Sequence, residues 1–348
     1  MMMNETLMWK EINESAAGCR AAKVKNAQVL TELVRAIRKK KVAGVVIAAR
    51  GTSDHAGVFA KYLIETYCGV PVSLAAPSVY TMYDGALCLK NQLVLGLSQS
   101  GRAADAMEVM NRAKACGAVT AAITNEPESP MACCAEYHLD CSMGPEKSVA
   151  ATKTFIGELY LVLALAAKWS GDATLRDELK RVPQILEKTY KQAEIVEQAA
   201  GRYRFIQDSF VLGRGFAYPI ALEFALKTQE TCYIRSRGYA TSDFYHGPVA
   251  QINDGTPVFQ FALGDRLTED SEKMIARIQQ AGGDVFAFTP NPAILAKADS
   301  GILLPECGEI CALFSASVAM QMFACALSTL RGLNPDNPRG LSKVTITK

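Results

Sequence analysis

The chain has little of what marks several common protein classes. Of its 348 residues only three are histidine, its 11 cysteines form no CxxC pair, and its charges nearly cancel, 37 Lys and Arg against 35 Asp and Glu for a net +2. Such balance argues against a protein built around the phosphates of DNA or RNA. It leaves room for a small anionic ligand held at one local site. Without CxxC spacing the usual zinc frameworks are excluded, and an odd number of scattered cysteines in so long a chain fits no compact disulfide scaffold. Free cysteine packs as a small hydrophobe, and a reducing cytoplasm is the expected compartment. Residues 1–10 lack the basic-then-apolar order of a signal peptide.

One stretch is long enough to cross a bilayer. Ile310 to Leu330 carries no charge, and a span needs about 20 residues. Ser315, Ser317, Gln321, Ser328 and Thr329 interrupt it and much of the rest is Ala. A buried helix in a core or at a subunit interface is therefore expected, with no membrane partner.

What is present is ordinary globular composition, 49% hydrophobic and 21% charged, which excludes a disordered chain. The length suggests two domains, and a repeat supports this. Val45 to Glu65 and Phe210 to Glu230 each read as an apolar strand, an Arg-Gly turn and a helix, with Gly51 and Gly215 standing 164 residues apart. At the same offset Val94–Leu97 matches Val258–Phe261. Continuously apolar strands alternating with helices predict an α/β fold with parallel sheets covered on both faces. The expected organisation is an N-terminal helical segment over 1–40, a first domain over 41–170, a helical linker over 171–200, a second domain over 201–335 and a tail over 336–348. Ligands of such sheets bind at the carboxyl ends of the strands.

The loop after the strand Leu93–Leu97 is Ser98-Gln99-Ser100-Gly101, and a helix is predicted from about Ala103 to Cys116. Hydroxyls at a strand-to-helix turn meet free N–H groups and the positive end of the helix dipole, a setting for phosphate. They equally describe plain N-capping. Gly51-Thr52-Ser53 repeats the character in the first loop, whereas the second half has Ala262-Leu263-Gly264-Asp265, where the carboxylate repels an anion. This asymmetry favours one phosphate site, in the first half. Gly144 to Lys153 places small residues between charges at a helix start.

Acid–base candidates are few. His138 falls in a predicted strand and reads as structural, and His55 lies in the first turn of a helix. His246 sits in an irregular loop before Gly247-Pro248 and can act as acid or base near neutrality. Glu223, Lys227 and Glu230 share one helix face, commonly an exposed ion-pair ladder. Lys343 lies in a polar tail, where a lysine is usually solvated.

Together the motifs ARGTSDHA (49–56), SQSG (98–101), GPEKSVAATK (144–153), LGRG and ALEFALKTQE (212–230), HGP (246–248) and DNPRGLSK (336–343) resemble the tandem sugar-isomerase (SIS) domain family. The chain is similar to the isomerase half of glutamine–fructose-6-phosphate aminotransferases, and more so to stand-alone glucosamine-6-phosphate deaminases. The resemblance implies two SIS domains, each a three-layer α/β/α sandwich. It places a sugar phosphate on Ser98, Gln99 and Ser100, with Gly51, Thr52 and Ser53 completing the cradle and Val149 and Ala150 meeting the sugar through backbone groups. It makes Glu230 the base between C1 and C2, and His246 the ring opener, contributed by the neighbouring subunit of a homodimer. Lys343 would stand beside the open-chain carbonyl or imine, with Glu223 and Lys227 in support. No metal and no cofactor are implied. Two positions depart from the aminotransferase pattern. Arg102-Ala103 replaces Glu-Thr, removing one hydroxyl, and Tyr245 replaces a Lys. With Met1 about 40 residues before the first strand, no glutaminase segment is expected. A galactosamine-6-phosphate deaminase, a fructosamine-6-phosphate deglycase and a non-catalytic sugar-phosphate sensor remain the alternatives.

Overall fold

The computed structural model describes residues 2–343. Two compact units form, neither continuous in sequence. The first gathers 17–146, 153–180 and 342–343, and the second gathers 2–16, 147–152 and 181–341. The N-terminal segment is two helices, α1 (Leu7–Lys25) and α2 (Ala27–Lys39). In α2 the buried residues Leu30, Leu33, Val34 and Ile37 form one stripe at helical spacing, which is why it packs by one face.

The first unit is built on strands β1 (Gly44–Ala48), β2 (Val72–Leu74), β3 (Gln92–Ser98), β4 (Val119–Thr124) and β5 (Tyr137–Asp140). Between and after them come helices α3 (Thr52–Cys68), α4 (Ser78–Thr81), α5 (Ala104–Ala115), α6 (Pro130–Cys134) and α7 (Lys153–Ser170). The strand order is β2-β1-β3-β4-β5 and every pair is parallel. Strands β3 and β4 are buried along nearly their whole length, which accounts for their unbroken apolar sequence. The chain leaves β1 towards β2 on one side, and returns through β3 towards β4 on the other. The strand order therefore reverses between β1 and β3, and the loops after these two strands flank the crevice where such sheets take ligands.

Helix α8 (Ala173–Tyr190), with Pro183 inside it, leads to α9 (Ala193–Gly201). One face of α8 is covered: Leu175, Val182, Ile185, Leu186 and Thr189 are buried. The second unit repeats the design with β6 (Asp208–Gly213), α10 (Tyr218–Cys232), β7 (Arg235–Ala240), α11 (Thr241–Phe244), β8 (Pro257–Phe261), α12 (Thr268–Gln280), β9 (Asp284–Thr289), α13 (Pro292–Leu295), β10 (Ser300–Leu303) and α14 (Glu309–Leu330). Its order, β10-β9-β8-β6-β7, is the same topology, again parallel throughout.

Helix α14 is the long uncharged stretch, and residues 310–328 are all buried, so its hydropathy serves a protein core. An aromatic cluster joins it to the sheet. Phe224 of α10 meets Phe259 of β8 edge-on at 5.1 Å, Phe288 of β9 at 5.7 Å and Phe323 of α14 at 5.6 Å. Removing so buried a ring costs about 3–5 kcal/mol. It also clamps α10, whose next turn carries the ionisable groups described below.

Candidate functional site

In the first unit, β1 and β3 are neighbours in register, Ala48 beside Gly96, so their loops emerge side by side. Arg50 links them. Its guanidinium pairs with Asp105, in the first turn of α5, at 2.7 Å through both Nε and Nη2. Asp105 is buried. The loop Ser98–Gly101 does not cap α5, because the capping position is Ala103 and no side chain bonds there. Ser98 Oγ instead accepts the Gly101 N–H at 3.1 Å, closing the turn on itself. Gly101 has φ +61°, and a Cβ there would come within 2.0 Å of Ser129 Oγ, so glycine is required both by conformation and by space. The Ser100 hydroxyl has no partner among the described residues.

Asn125, after β4, steadies the cradle. Its N–H donates to the Gln99 carbonyl, its amide donates to the Gly144 carbonyl at 2.8 Å, and its Oδ1 accepts from Met143 N–H. Thr52 and Ser53 open α3, and the Ser53 hydroxyl donates to buried Glu158 of α7 at 2.8 Å. His55 is half-buried in the same turn.

Glu146 is a residue that sequence reasoning missed, although it lies inside the quoted GPEKSVAATK motif. Its carboxylate accepts the Thr154 N–H at 3.0 Å and the Thr154 hydroxyl at 2.9 Å, at the start of α7. The same carboxylate takes the ammonium of Lys343 at 2.6 Å. Lys343 is thus an ordered, partly buried group with a defined partner rather than a solvated one.

In the second unit, the strap 147–150 is held by two carboxyl-bearing residues. Glu11 of α1 accepts from Lys147 N–H, Ser148 N–H and the Ser148 hydroxyl. Asp336 caps α1 through Leu7 N–H and Met8 N–H, and its carbonyl accepts the Val149 N–H at 3.0 Å. Ala150 is buried and Val149 half-buried. Nothing in the sequence singled out Glu11, since a lone Glu on a helix carries no pattern.

The face of α10 is not the exposed ladder that its spacing commonly signals. Glu223 and Lys227 have no exposure, with 3.3 Å between their charged atoms. Lys227 also pairs with Glu230, which stays partly open. Burial opposes the Lys227 charge, but Glu223 and Glu230 outweigh it and hold the ammonium protonated well above the usual range. The triad is a fixed device in which one cation orients two carboxylates, one sealed and one accessible. His246 stands on an exposed turn between α11 and Gly247, its N–H bonded to the Asp243 carbonyl and its ring without a partner among the described residues.

The loop of the second unit equivalent to Ser98–Gly101 carries acid. Asp265 follows Gly264, and a Cβ at Gly264 would meet the Glu309 carboxylate at 2.4 Å. Burial raises the Glu309 pKa. Among the described residues no group of His, Cys, Asp and Glu could hold a metal ion.

A family model described as SIS domain matches residues 37–168 and 208–331. Glutamine–fructose-6-phosphate aminotransferase (isomerizing) of Aquifex aeolicus is 35% identical over 320 residues, 91% of this chain and 54% of the relative. The enzyme of the same name from Methanothermobacter thermautotrophicus is 33% identical over 339 residues, 97% of this chain and 56% of the relative. The chain thus spans about half the length of the curated relatives it matches. Among solved structures, a candidate phosphosugar isomerase from Silicibacter pomeroyi superposes with TM-score 0.84 at 31% identity, over 95% of this chain and 100% of that one. The C-terminal domain of glucosamine-fructose-6-phosphate aminotransferase from Francisella tularensis gives TM-score 0.84 at 25% identity, over 95% and 98%.

Proposed function

The chain belongs to the SIS domain family, which it carries twice, and from that premise we propose that it is a glucosamine-6-phosphate deaminase. It is homologous to the isomerase half of glutamine–fructose-6-phosphate aminotransferase. In the proposed reaction the sugar ring opens, a proton passes from C2 to C1, and water hydrolyses the resulting C2 imine. The products are ammonia and fructose 6-phosphate. Every step is a proton transfer or a hydrolysis, chemistry that acid–base side chains perform.

The observation that carries this reading is the triad on α10. A proton on C2 of an amino sugar is weakly acidic, and its removal needs a carboxylate held in place. Lys227, buried and permanently charged, holds Glu230 in one orientation while leaving it partly open. In this reading Ser98, Gln99 and Ser100, with Gly51, Thr52 and Ser53, take the phosphate. Val149 and Ala150 meet the sugar, and Lys343 stands beside its carbonyl. Arg102 and the 49–56 loop lean towards a deaminase rather than an aminotransferase.

His246 is assigned to ring opening. Its exposed ring suits delivery to a second copy of the chain, so the working unit is proposed as a homodimer. The eleven free thiols suit a reducing cytoplasm.

The test is ammonia and fructose 6-phosphate release from a panel of amino sugar 6-phosphates without glutamine. Release from glucosamine 6-phosphate is expected, and Glu230→Gln should lower turnover about 10²–10⁴-fold while preserving binding. Binding without turnover by the unaltered chain would make it a sensor. If His246 acts across the dimer, mixing Glu230→Gln with His246→Ala subunits should restore part of the activity. Mixtures no better than either parent, with exchange of subunits verified, would place both groups in one chain.

A further inference from the structure

We propose that the second unit carries a binding site for a nucleoside phosphate, in a cavity where α10 and α14 both end. This inference does not depend on the proposed reaction. The cavity measures about 600 Å³, within the range of small-molecule sites. Its lining includes Arg204, Arg331 and Arg339 with Phe205 and Tyr233, and contains no carboxylate. Neither Glu223, Lys227 nor Glu230 lines it. Gln207, which precedes β6, lines it too, so it opens at the end of the sheet where β6 begins. The loops after β6 and β8 stand at the other end.

Three guanidinium groups repel one another unless something negative lies among them. One source of negative charge is already present, the carbonyls at the two helix ends. Arg331 is satisfied separately, by the loop before β6: its Nη1 donates to the Arg204 and Ile206 carbonyls at 2.8 Å each, which also fixes the loop carrying Arg204 and Phe205. The guanidinium groups of Arg204 and Arg339 have no carboxylate or carbonyl partner among the described residues. Nearby acids are engaged elsewhere. Asp208 faces Arg235 at 3.6 Å, Asp336 caps α1, and Glu230 pairs with Lys227.

The two free guanidinium groups are placed by aromatic rings. Arg339 lies 4.2 Å from the Tyr233 ring centre, and its own N–H donates to the Tyr233 hydroxyl at 2.8 Å. Tyr233 adopts φ +56° at the end of α10, a conformation uncommon outside glycine. Arg204 lies 4.7 Å from the Phe205 ring centre, and Phe205 is 78% exposed. A guanidinium fork suits phosphate oxygens, and an open aromatic ring suits a flat base. Phosphate groups on Arg204 and Arg339 and a base on Phe205 use both the unpaired cations and the open ring of the cavity.

The probes are ADP, UDP, inorganic pyrophosphate and adenosine, titrated calorimetrically at fixed salt. ADP and UDP should bind, pyrophosphate about tenfold more weakly because it lacks the stacked base, and adenosine weakest. Arg204→Ala and Arg339→Ala should each weaken ADP about tenfold, and Phe205→Ala should weaken ADP while leaving pyrophosphate unchanged. All three side chains are exposed, and circular dichroism checks that the variants remain folded. Ser100→Ala should leave ADP binding unaltered. No binding at millimolar concentration would overturn the site, and equal affinity for ADP and pyrophosphate would overturn the nucleoside class. Binding lost with Ser100→Ala but kept with the arginine variants would assign the ligand to the phosphate cradle instead.

Discussion

Lys343 and Glu146 meet at 2.6 Å, joining the C-terminal tail to a carboxylate that has no exposure at all. The same carboxylate receives both donors of Thr154 at the start of α7. A tail lysine would otherwise be free to sample many rotamers, and a long side chain loses about 1.5–2 kcal/mol of entropy when ordered. Glu146 offsets that cost and points the amine. Glu146→Gln keeps an acceptor for the Thr154 N–H, leaves the Thr154 hydroxyl to accept from the new amide instead of donating, and removes the ionic hold on Lys343. Turnover should fall about ten- to a hundredfold with KM changed much less, read by steady-state kinetics beside a thermal melt. A fall confined to melting temperature would make Glu146 a helix cap alone.

The proposed phosphate cradle is open to a direct test. Ser100→Ala removes a hydroxyl that has no partner among the described residues, so its folding cost should be small. Loss of one charge-assisted hydrogen bond corresponds to about 1.5–3 kcal/mol, and sugar-phosphate affinity should fall about ten- to a hundredfold. Ser98→Ala should lose affinity and stability together, because Ser98 Oγ also accepts from Gly101. Unchanged binding in both variants would move the phosphate elsewhere.

The triad predicts an imbalance between single and double changes. Lys227→Met leaves the fully buried Glu223 without its cation, and breaking a buried pair in this way costs about 3–5 kcal/mol. Replacing Glu223 and Lys227 together by apolar residues should cost less, since the one charge left unpaired, Glu230, is partly open to water. Urea denaturation of the two variants measures the difference. Equal costs would mean that water reaches the triad.

His138 gives the stability a pH dependence. Its ring nitrogen bonds the Thr124 hydroxyl at 2.9 Å. Burial lowers its pKa, against the pull of Asp140 and with Lys25 adding to the fall. The folded chain therefore binds this proton less readily than the unfolded one, whose histidine titrates near about 6.5. The contribution is complete above that value and is lost as pH falls from it through the folded-state pKa. Unfolding free energy should decline from pH 7.5 to 5, and His138→Gln should flatten part of the slope. An unaltered slope would assign the dependence to carboxylates.

Much of this architecture is legible in the order of residues. The 164-residue repeat, the unbroken apolar strands and the hydroxyl turn after β3 follow from periodicity and composition, because a strand covered on both faces and a turn with free N–H groups each impose a local pattern. So does the contrast between Ser98–Gly101 and Gly264-Asp265. Burial is not local. The Glu223–Lys227–Glu230 spacing is the same for a solvated ladder and a sealed triad, and it is the Phe224 cluster against β8, β9 and α14 that seals α10. Chain order also hides which distant segments fold together. Glu11 and Asp336 reach the strap at Val149 from opposite ends of the sequence, and Glu146 finds Lys343 almost two hundred residues away. Such partners are chosen by packing, where a buried carboxylate must find donors, and no spacing rule records that choice.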